Sequence, residues 1–164
     1  LRVRVLTNSL EATDVLPVHA AYGKYRQPLL SSGVQLYELR RTPRTEEERK
    51  ALGLIGSSGA SLHAKVFAID RRAVFVGSFN FDPRSVWLNC EMGFWIESPA
   101  LATTITEALD RNAVTTWQVG LDPDGALTWS GRDSATPLSD EPGTRAFKRA
   151  ALALLSRLPI EWMM

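Results

Sequence analysis

Residues 63 to 82 read HAKVFAIDRRAVFVGSFNFD and set His63-x-Lys65-x4-Asp70 ahead of Gly77-Ser78-x-Asn80. These residue types suit phosphate-ester chemistry. A histidine attacks phosphorus as the neutral imidazole or donates a proton as the imidazolium, and an ordinary pKa of about 6.5 allows both near neutral pH. A lysine ammonium and an asparagine amide beside it supply donors where negative charge builds on the phosphoryl oxygens. No second His or Cys stands at metal-ligand spacing, so the expected site uses no metal and no cofactor. Taken singly, the same residues have plainer readings: a core histidine at His63, a snorkelling cation at Lys65, a turn at Gly77-Ser78. Their occurrence together at fixed spacing favours the chemical reading.

Two short runs rich in β-branched and aromatic residues, LHAKVFAI (62–69) and AVFVGS (73–78), flank the polar Asp70-Arg71-Arg72 and predict a β-hairpin over 62–78. With the turn centred between Arg71 and Arg72, Lys65 falls opposite Ser78 and His63 opposite Asn80. Cross-strand partners share a face, as do residues two apart on one strand, so these four side chains gather at the open end of the hairpin. Asp70 sits at the closed end. A three-residue loop would slip this register by one and break this pattern.

The set His63-x-Lys65-x4-Asp70-x6-Gly77-Ser78-x-Asn80 resembles the signature of the phospholipase D superfamily, whose members cleave or exchange phosphodiesters through a phosphohistidine. The resemblance implies that His63 is one of two active-site histidines and that Lys65 and Asn80 bind the phosphate. It implies that Ser78 hydrogen-bonds within the site and that Asp70 and Gly77 serve its structure. Glu91, in WLNCEMGFWI, falls where the family places a carboxylate that holds the catalytic imidazole by its second nitrogen; a surface glutamate at a strand start is the plainer reading. The flanks LTNSLEATDVLPVHAAYGKYRQPLLSSGVQLYEL, NFDPRSVWLNCEMGFWIESPALA and LLSRLPIEWMM resemble the C-terminal half of bacterial cardiolipin-synthase-like enzymes. That likeness implies phosphatidyl transfer between phospholipids by a peripheral protein at the cytoplasmic face of the inner membrane, or a cytoplasmic place for the domain alone. A phosphodiesterase or nuclease, or a half-domain inert in isolation, is the alternative. His19, Tyr25, Arg26 and Arg84 are weaker candidates for headgroup contacts.

The superfamily builds a site from two such motifs, and this chain shows one, because His19 is followed by Ala20-Ala21 rather than by x-Lys. The expected partner is therefore an N-terminal half of the same protein or a second copy in a dimer. The start at Leu1, which enters a strand directly, favours the first. As second motif, His63 would more often be the general acid and base; in a symmetric dimer it would take both roles.

The 164 residues, 45% hydrophobic, suffice for a real core. A formal charge of +1 argues against a broad nucleic-acid surface. Cys90, the one cysteine, cannot form an intrachain disulfide and is expected to pack as a small apolar residue. No run approaches the roughly 20 apolar residues that span a bilayer.

The elements that must position the motif follow from patterning. Strands are expected at 2–7, 34–39 and 92–97, and helices at 14–31, 83–88 and 99–113, with Asp14 or Thr13 capping the first and Pro17 in its first turn. Alternating strands and helices with a hairpin indicate an α/β fold, a mixed β-sheet flanked by helices; by resemblance it is one of two pseudo-symmetric halves of a phospholipase D-like sandwich. Residues 1–113 are expected to form the catalytic half-domain. Residues 114–164 are expected to add a hairpin turned on Asp122-Pro123-Asp124-Gly125, a loop and a basic amphipathic helix, packed on the domain or laid on a lipid interface. The stretch 42–61 is expected to be a linker or a flap over the substrate.

Overall fold

A computed structural model describes residues 2–13, 15–40, 62–112, 116–131 and 134–144. The flap expected at 42–61 and the amphipathic helix expected after Thr144 lie outside these residues. In chain order the elements are β1 (Arg4–Asn8), α1 (Leu16–Ser31), β2 (Gln35–Leu39), β3 (Lys65–Ile69), β4 (Ala73–Gly77), α2 (Pro83–Trp87), β5 (Gly93–Glu97), α3 (Pro99–Asn112), β6 (Thr116–Leu121) and β7 (Leu127–Ser130). The α/β class and the mixed pairing are as expected. The strands divide into two hydrogen-bonded sheets, ordered β1-β2-β6-β7 and β3-β4-β5.

The first sheet begins with a βαβ unit. β1 and β2 run parallel, so a crossover must join them, and α1 supplies it. Asp14, one of the two expected caps, lies outside the described residues, and Thr13 does not cap the helix. The helix opens after Val15, which offers no side-chain cap; the Thr13 hydroxyl instead accepts from the Val15 backbone at 3.4 Å, one residue too early. Pro17 in the first turn removes one donor that would otherwise need a partner. At the other end Gly33, at φ 88, stops the helix, and Val34 N–H donates back to Leu29 O at 3.1 Å.

β6 then pairs antiparallel with β2, and β7 returns beside it. The turn between them is closed by Asp122, whose Oδ1 accepts from the N–H groups of Asp124 (3.0 Å) and Ala126 (2.8 Å), and Gly125 adopts φ 82. Leu36, Trp117, Val119 and Trp129 form the core of this sheet, with Leu29 and Leu30 of α1 packed against it.

Within this core lies a buried ionic network. Glu38 of β2 is fully buried and accepts from Arg26 Nε (2.8 Å), Tyr22 OH (3.1 Å) and Trp129 Nε1 (3.0 Å). Arg26 also donates to Glu141, and its guanidinium lies 2.9 Å from His19 Nε2, which itself lies 2.7 Å from Glu141. Burial first, then the Glu38 charge, raise the Tyr22 pKa. The His19 bond and the Arg26 charge lower that of Glu141 against an opposing desolvation, the largest single contribution.

The second sheet is covered in part by α3, which packs on β3 and β4. Ser98 caps α3 by accepting from Leu101 N–H at 3.3 Å, with Pro99 at its first position. β5 is the outer strand, and all five of its residues are exposed. Phe81, Trp87, Leu88, Met92, Phe94 and Trp95 leave an apolar band open around it. No helix among the described residues is long and apolar enough to cross a membrane.

Candidate active site

The hairpin forms, but one residue out of the expected register. Lys65 pairs with Gly77, not Ser78, and Ile69 pairs with Ala73. The cause is the turn. Asp70, Arg71 and Arg72 all lie between the strands, and Arg72 N–H closes the loop on Ile69 O at 2.9 Å. Asp70 and Arg71 take left-handed backbone at φ 51 and 52, which an aspartate tolerates better than most residues. His63 and Asn80 consequently lie beyond the last rung of the ladder instead of facing each other across it. Asn80 is exposed there.

At that open end Lys65 turns back on His63. Its Nζ lies 3.1 Å from His63 Nε2 and donates to His63 O at 2.9 Å. An ammonium has no lone pair, so this contact requires the lone pair on Nε2 and the imidazole proton on Nδ1. The histidine is exposed, whereas the lysine is half-buried. The pair sets an imidazole nitrogen and an ammonium side by side at the open end of the hairpin.

Beside them Ser78 joins β4 to the segment before β5. Its N–H donates to Met92 O (2.9 Å), its Oγ accepts from Met92 N–H (3.1 Å), and its hydroxyl donates to Glu91 Oε2 at 2.5 Å. Asn89 Nδ2 donates to the other carboxylate oxygen at 3.1 Å. The Ser78 hydroxyl first, then Asn89 and Ser85, hold the Glu91 carboxyl below its usual range, and the Lys65 charge adds to this. Asn89 is in turn held by Arg84, whose Nε donates to its Oδ1 at 3.0 Å. The short helix α2 makes this possible: Asp82 caps it by accepting from Ser85 N–H at 2.7 Å, and its end delivers Asn89 N–H to Arg84 O. Glu91 therefore reaches Ser78, Ser85 and Asn89, and no hydrogen bond to His63 is formed among the described residues.

The glycines beneath this cluster are required by space. Gly77 and Gly93 face each other across β4 and β5, and the Phe75 ring lies over both. A Cβ at Gly93 would stand 2.1 Å from Phe75 Cζ; one at Gly77 would stand 2.5 Å from Met92 O. Phe75 stacks on Phe67 with centroids 4.5 Å apart, so a firm aromatic floor lies under Lys65 on the same face of the sheet.

The structure gathers His63, Lys65, Ser78 and Glu91 at one end of the second sheet, with Asn80 nearby along the chain. Asp70 is at the far end, in the turn. Of the four headgroup candidates, His19 and Arg26 are buried in the ionic network of the first sheet, where their polar atoms serve Glu38 and Glu141. Tyr25 is on the exposed side of α1, and Arg84 borders the Glu91 group through Asn89. Sequence reasoning missed Asn89 and Ser85; the spacing Asn89-x-Glu91 was the available signal. Cys90 is exposed, because α2 ends just before it and turns that segment outward, rather than packed as expected. Among the described residues no group of three His, Cys, Asp or Glu side chains could hold a metal ion.

Residues 1–113 match the family described as cardiolipin synthase, PLD-like domain. The chain is 46% identical over 167 residues to cardiolipin synthase C of Escherichia coli K12, with all of this chain and 35% of that protein covered. It is 33% identical over 119 residues to an uncharacterized protein of Helicobacter pylori 26695, covering 73% of this chain and 23% of that one. The chain thus spans about a third or less of the length of these relatives. No solved structure matches. With the motif, the fold and the matched residues in accord, the chain belongs to the phospholipase D superfamily, in the family of cardiolipin synthase PLD-like domains.

Proposed function

We propose that this chain supplies one of two His-x-Lys motifs to an enzyme that transfers phosphatidyl groups between phospholipids through a phosphohistidine. The observation that carries the reading is the contact between Lys65 Nζ and His63 Nε2 beside the Ser78–Glu91 pair. One imidazole attacks phosphorus through its unprotonated nitrogen, and the other, as imidazolium, protonates the departing alcohol oxygen. The second histidine, now neutral, takes the proton of an incoming alcohol, which displaces the histidine from phosphorus and restores both groups. Lys65 and Asn80 bind the phosphoryl oxygens. Glu91 orients the site, through Ser78 and Asn89 or by taking the second nitrogen of His63 once substrate draws Lys65 away.

The other motif comes from a second unit, the N-terminal half of the same protein or another copy. Burial of His19 supports this, since the other histidine of the chain is committed to Glu141 and Arg26. The apolar band around α2 and β5 fits a face that this unit covers. The enzyme acts peripherally at the cytoplasmic face of the inner membrane.

The test uses the complete gene product with phosphatidylglycerol, with and without a second phospholipid, and follows cardiolipin and phosphatidic acid. His63→Ala is expected to abolish both products with an unchanged circular dichroism spectrum; undiminished turnover would refute the mechanism. Chelation is expected to leave the rate unchanged, and strict dependence on a divalent ion would contradict a site built on these residues.

A further inference from the structure

Among the described residues the two sheets share no strand pairing, yet β1 and the segment entering β3 are joined by one side chain. Asn8 is the last residue of β1, on the outer edge of the first sheet. Its Oδ1 accepts from Leu62 N–H at 2.7 Å, and its Nδ2 donates to Leu62 O at 2.9 Å. A primary amide carries the same donor and acceptor as a peptide group. The pair therefore acts as one rung of a ladder between the sheets, made to a residue 54 positions away. The next residue is His63.

We infer that Asn8 is a positioning residue for His63, clamping the backbone immediately before the catalytic imidazole. The inference rests on the phosphodiester-transfer reading of the site. Residues 62–64 precede β3 and lie outside its ladder with β4, whose last rung is Lys65 with Gly77. Lys65 does touch His63, but it belongs to the same strand and moves with it. The Asn8 clamp refers the imidazole to a different sheet, and through it to the core around Leu36 and Trp117. The other tie from β1 toward the second sheet, Arg4 to Asp110 of α3, holds the helix and not the segment that carries the histidine. Near-attack geometry is sensitive at this scale, since a displacement of about 1 Å can cost about a hundredfold in rate.

The test uses the complete gene product and two substrates, phosphatidylglycerol and bis(4-nitrophenyl) phosphate; the second reports phosphodiester cleavage without lipid recognition. Asn8→Ala is expected to lower kcat by about ten- to a hundredfold on both, with KM changed less than about twofold. Asn8→Asp keeps the shape and the acceptor for Leu62 N–H but sets an anionic oxygen against Leu62 O, and is expected to fall as far; it answers the question should the alanine variant not fold. Arg4→Ala, which releases only α3, is expected to keep kcat within about twofold of wild type. Unchanged kcat in both Asn8 variants, a rise confined to KM, or an equal fall in Arg4→Ala would overturn the inference. A wild-type protein active on the chromogenic ester alone, with the Asn8 effect intact, would refute the lipid reading and uphold the positioning role. Inactivity on both would refute phosphodiester chemistry and the inference with it.

Discussion

Gly93→Ala tests whether the aromatic floor beneath the site is as tightly built as its distances indicate. The added Cβ would lie 2.1 Å from Phe75 Cζ and 2.4 Å from Cε2, far inside contact distance, so the ring must move. It cannot do so freely, because it is stacked on Phe67 at 4.5 Å with an interplanar angle of 7°. Overpacking of this kind costs about 1–3 kcal/mol, and loss of the stack adds about 0.5–1 kcal/mol. Removing the freedom of glycine in the unfolded chain returns about 0.5 kcal/mol. The net expectation is about 2 kcal/mol, read as a shift of the urea midpoint at constant slope. The decisive arm is the Phe75→Leu background. Leucine lacks the ring atoms that meet the Gly93 Cβ, so there Gly93→Ala is expected to cost under about 0.5 kcal/mol, a coupling of about 1.5 kcal/mol. Gly77→Ala is the contrast, since its Cβ meets two backbone atoms, Met92 O at 2.5 Å and the Gly93 Cα at 2.8 Å, besides Phe75 Cζ at 2.8 Å, and Phe75→Leu is expected to relieve only the last and leave most of the cost. A small cost for Gly93→Ala alone, or an equal cost in both backgrounds, would refute the argument.

The Glu91 carboxyl, followed by NMR, is expected to titrate below the usual glutamate range, with Ser78→Ala moving its midpoint back toward that range; a midpoint untouched by Ser78→Ala would contradict the assigned cause. Because the folded-state pKa lies below the unfolded one, this contribution to stability is present above the ordinary carboxylate pKa and lost as pH falls through the lowered value. The stability gap between wild type and Glu91→Gln should therefore close on acidification. Glu38→Ala, which strips a fully buried acceptor from Arg26, Tyr22 and Trp129, is expected to destabilise by about 3–5 kcal/mol in denaturant melts, and a loss under about 1 kcal/mol would refute the network's role.

The family was legible because its motif is local: His63, Lys65, Ser78 and Asn80 lie within one hairpin and its exit. Element positions were legible for the same reason, since period-2 and helical patterns, with Pro17, Pro83 and Pro99 near helix starts and Gly33 and Gly125 at turns, are short-range signals. The register was not, because it depends on whether Asp70 and Arg71 both adopt left-handed backbone, which composition favours at Asp70 and not at Arg71. Nor could the fate of His19 and Arg26 be read. Their partners Glu38 and Glu141 stand 12 to 122 positions away, and only the fold of the first sheet brings four ionisable groups into one buried cluster. The division into two sheets and the Asn8 clamp are long-range in the same sense.

Residues 1–113 carry the family match, but the first sheet and its ionic network extend past that stretch. β6 occupies the edge of β2, Trp129 of β7 completes the acceptor bonds of Glu38, and Glu141 neutralises Arg26. A protein cut at residue 113 would keep every residue of the motif while baring a strand edge and leaving an arginine and a carboxylate in the core short of partners. A boundary drawn for expression therefore has to lie beyond Glu141, set by a buried charge and not by the reach of sequence similarity.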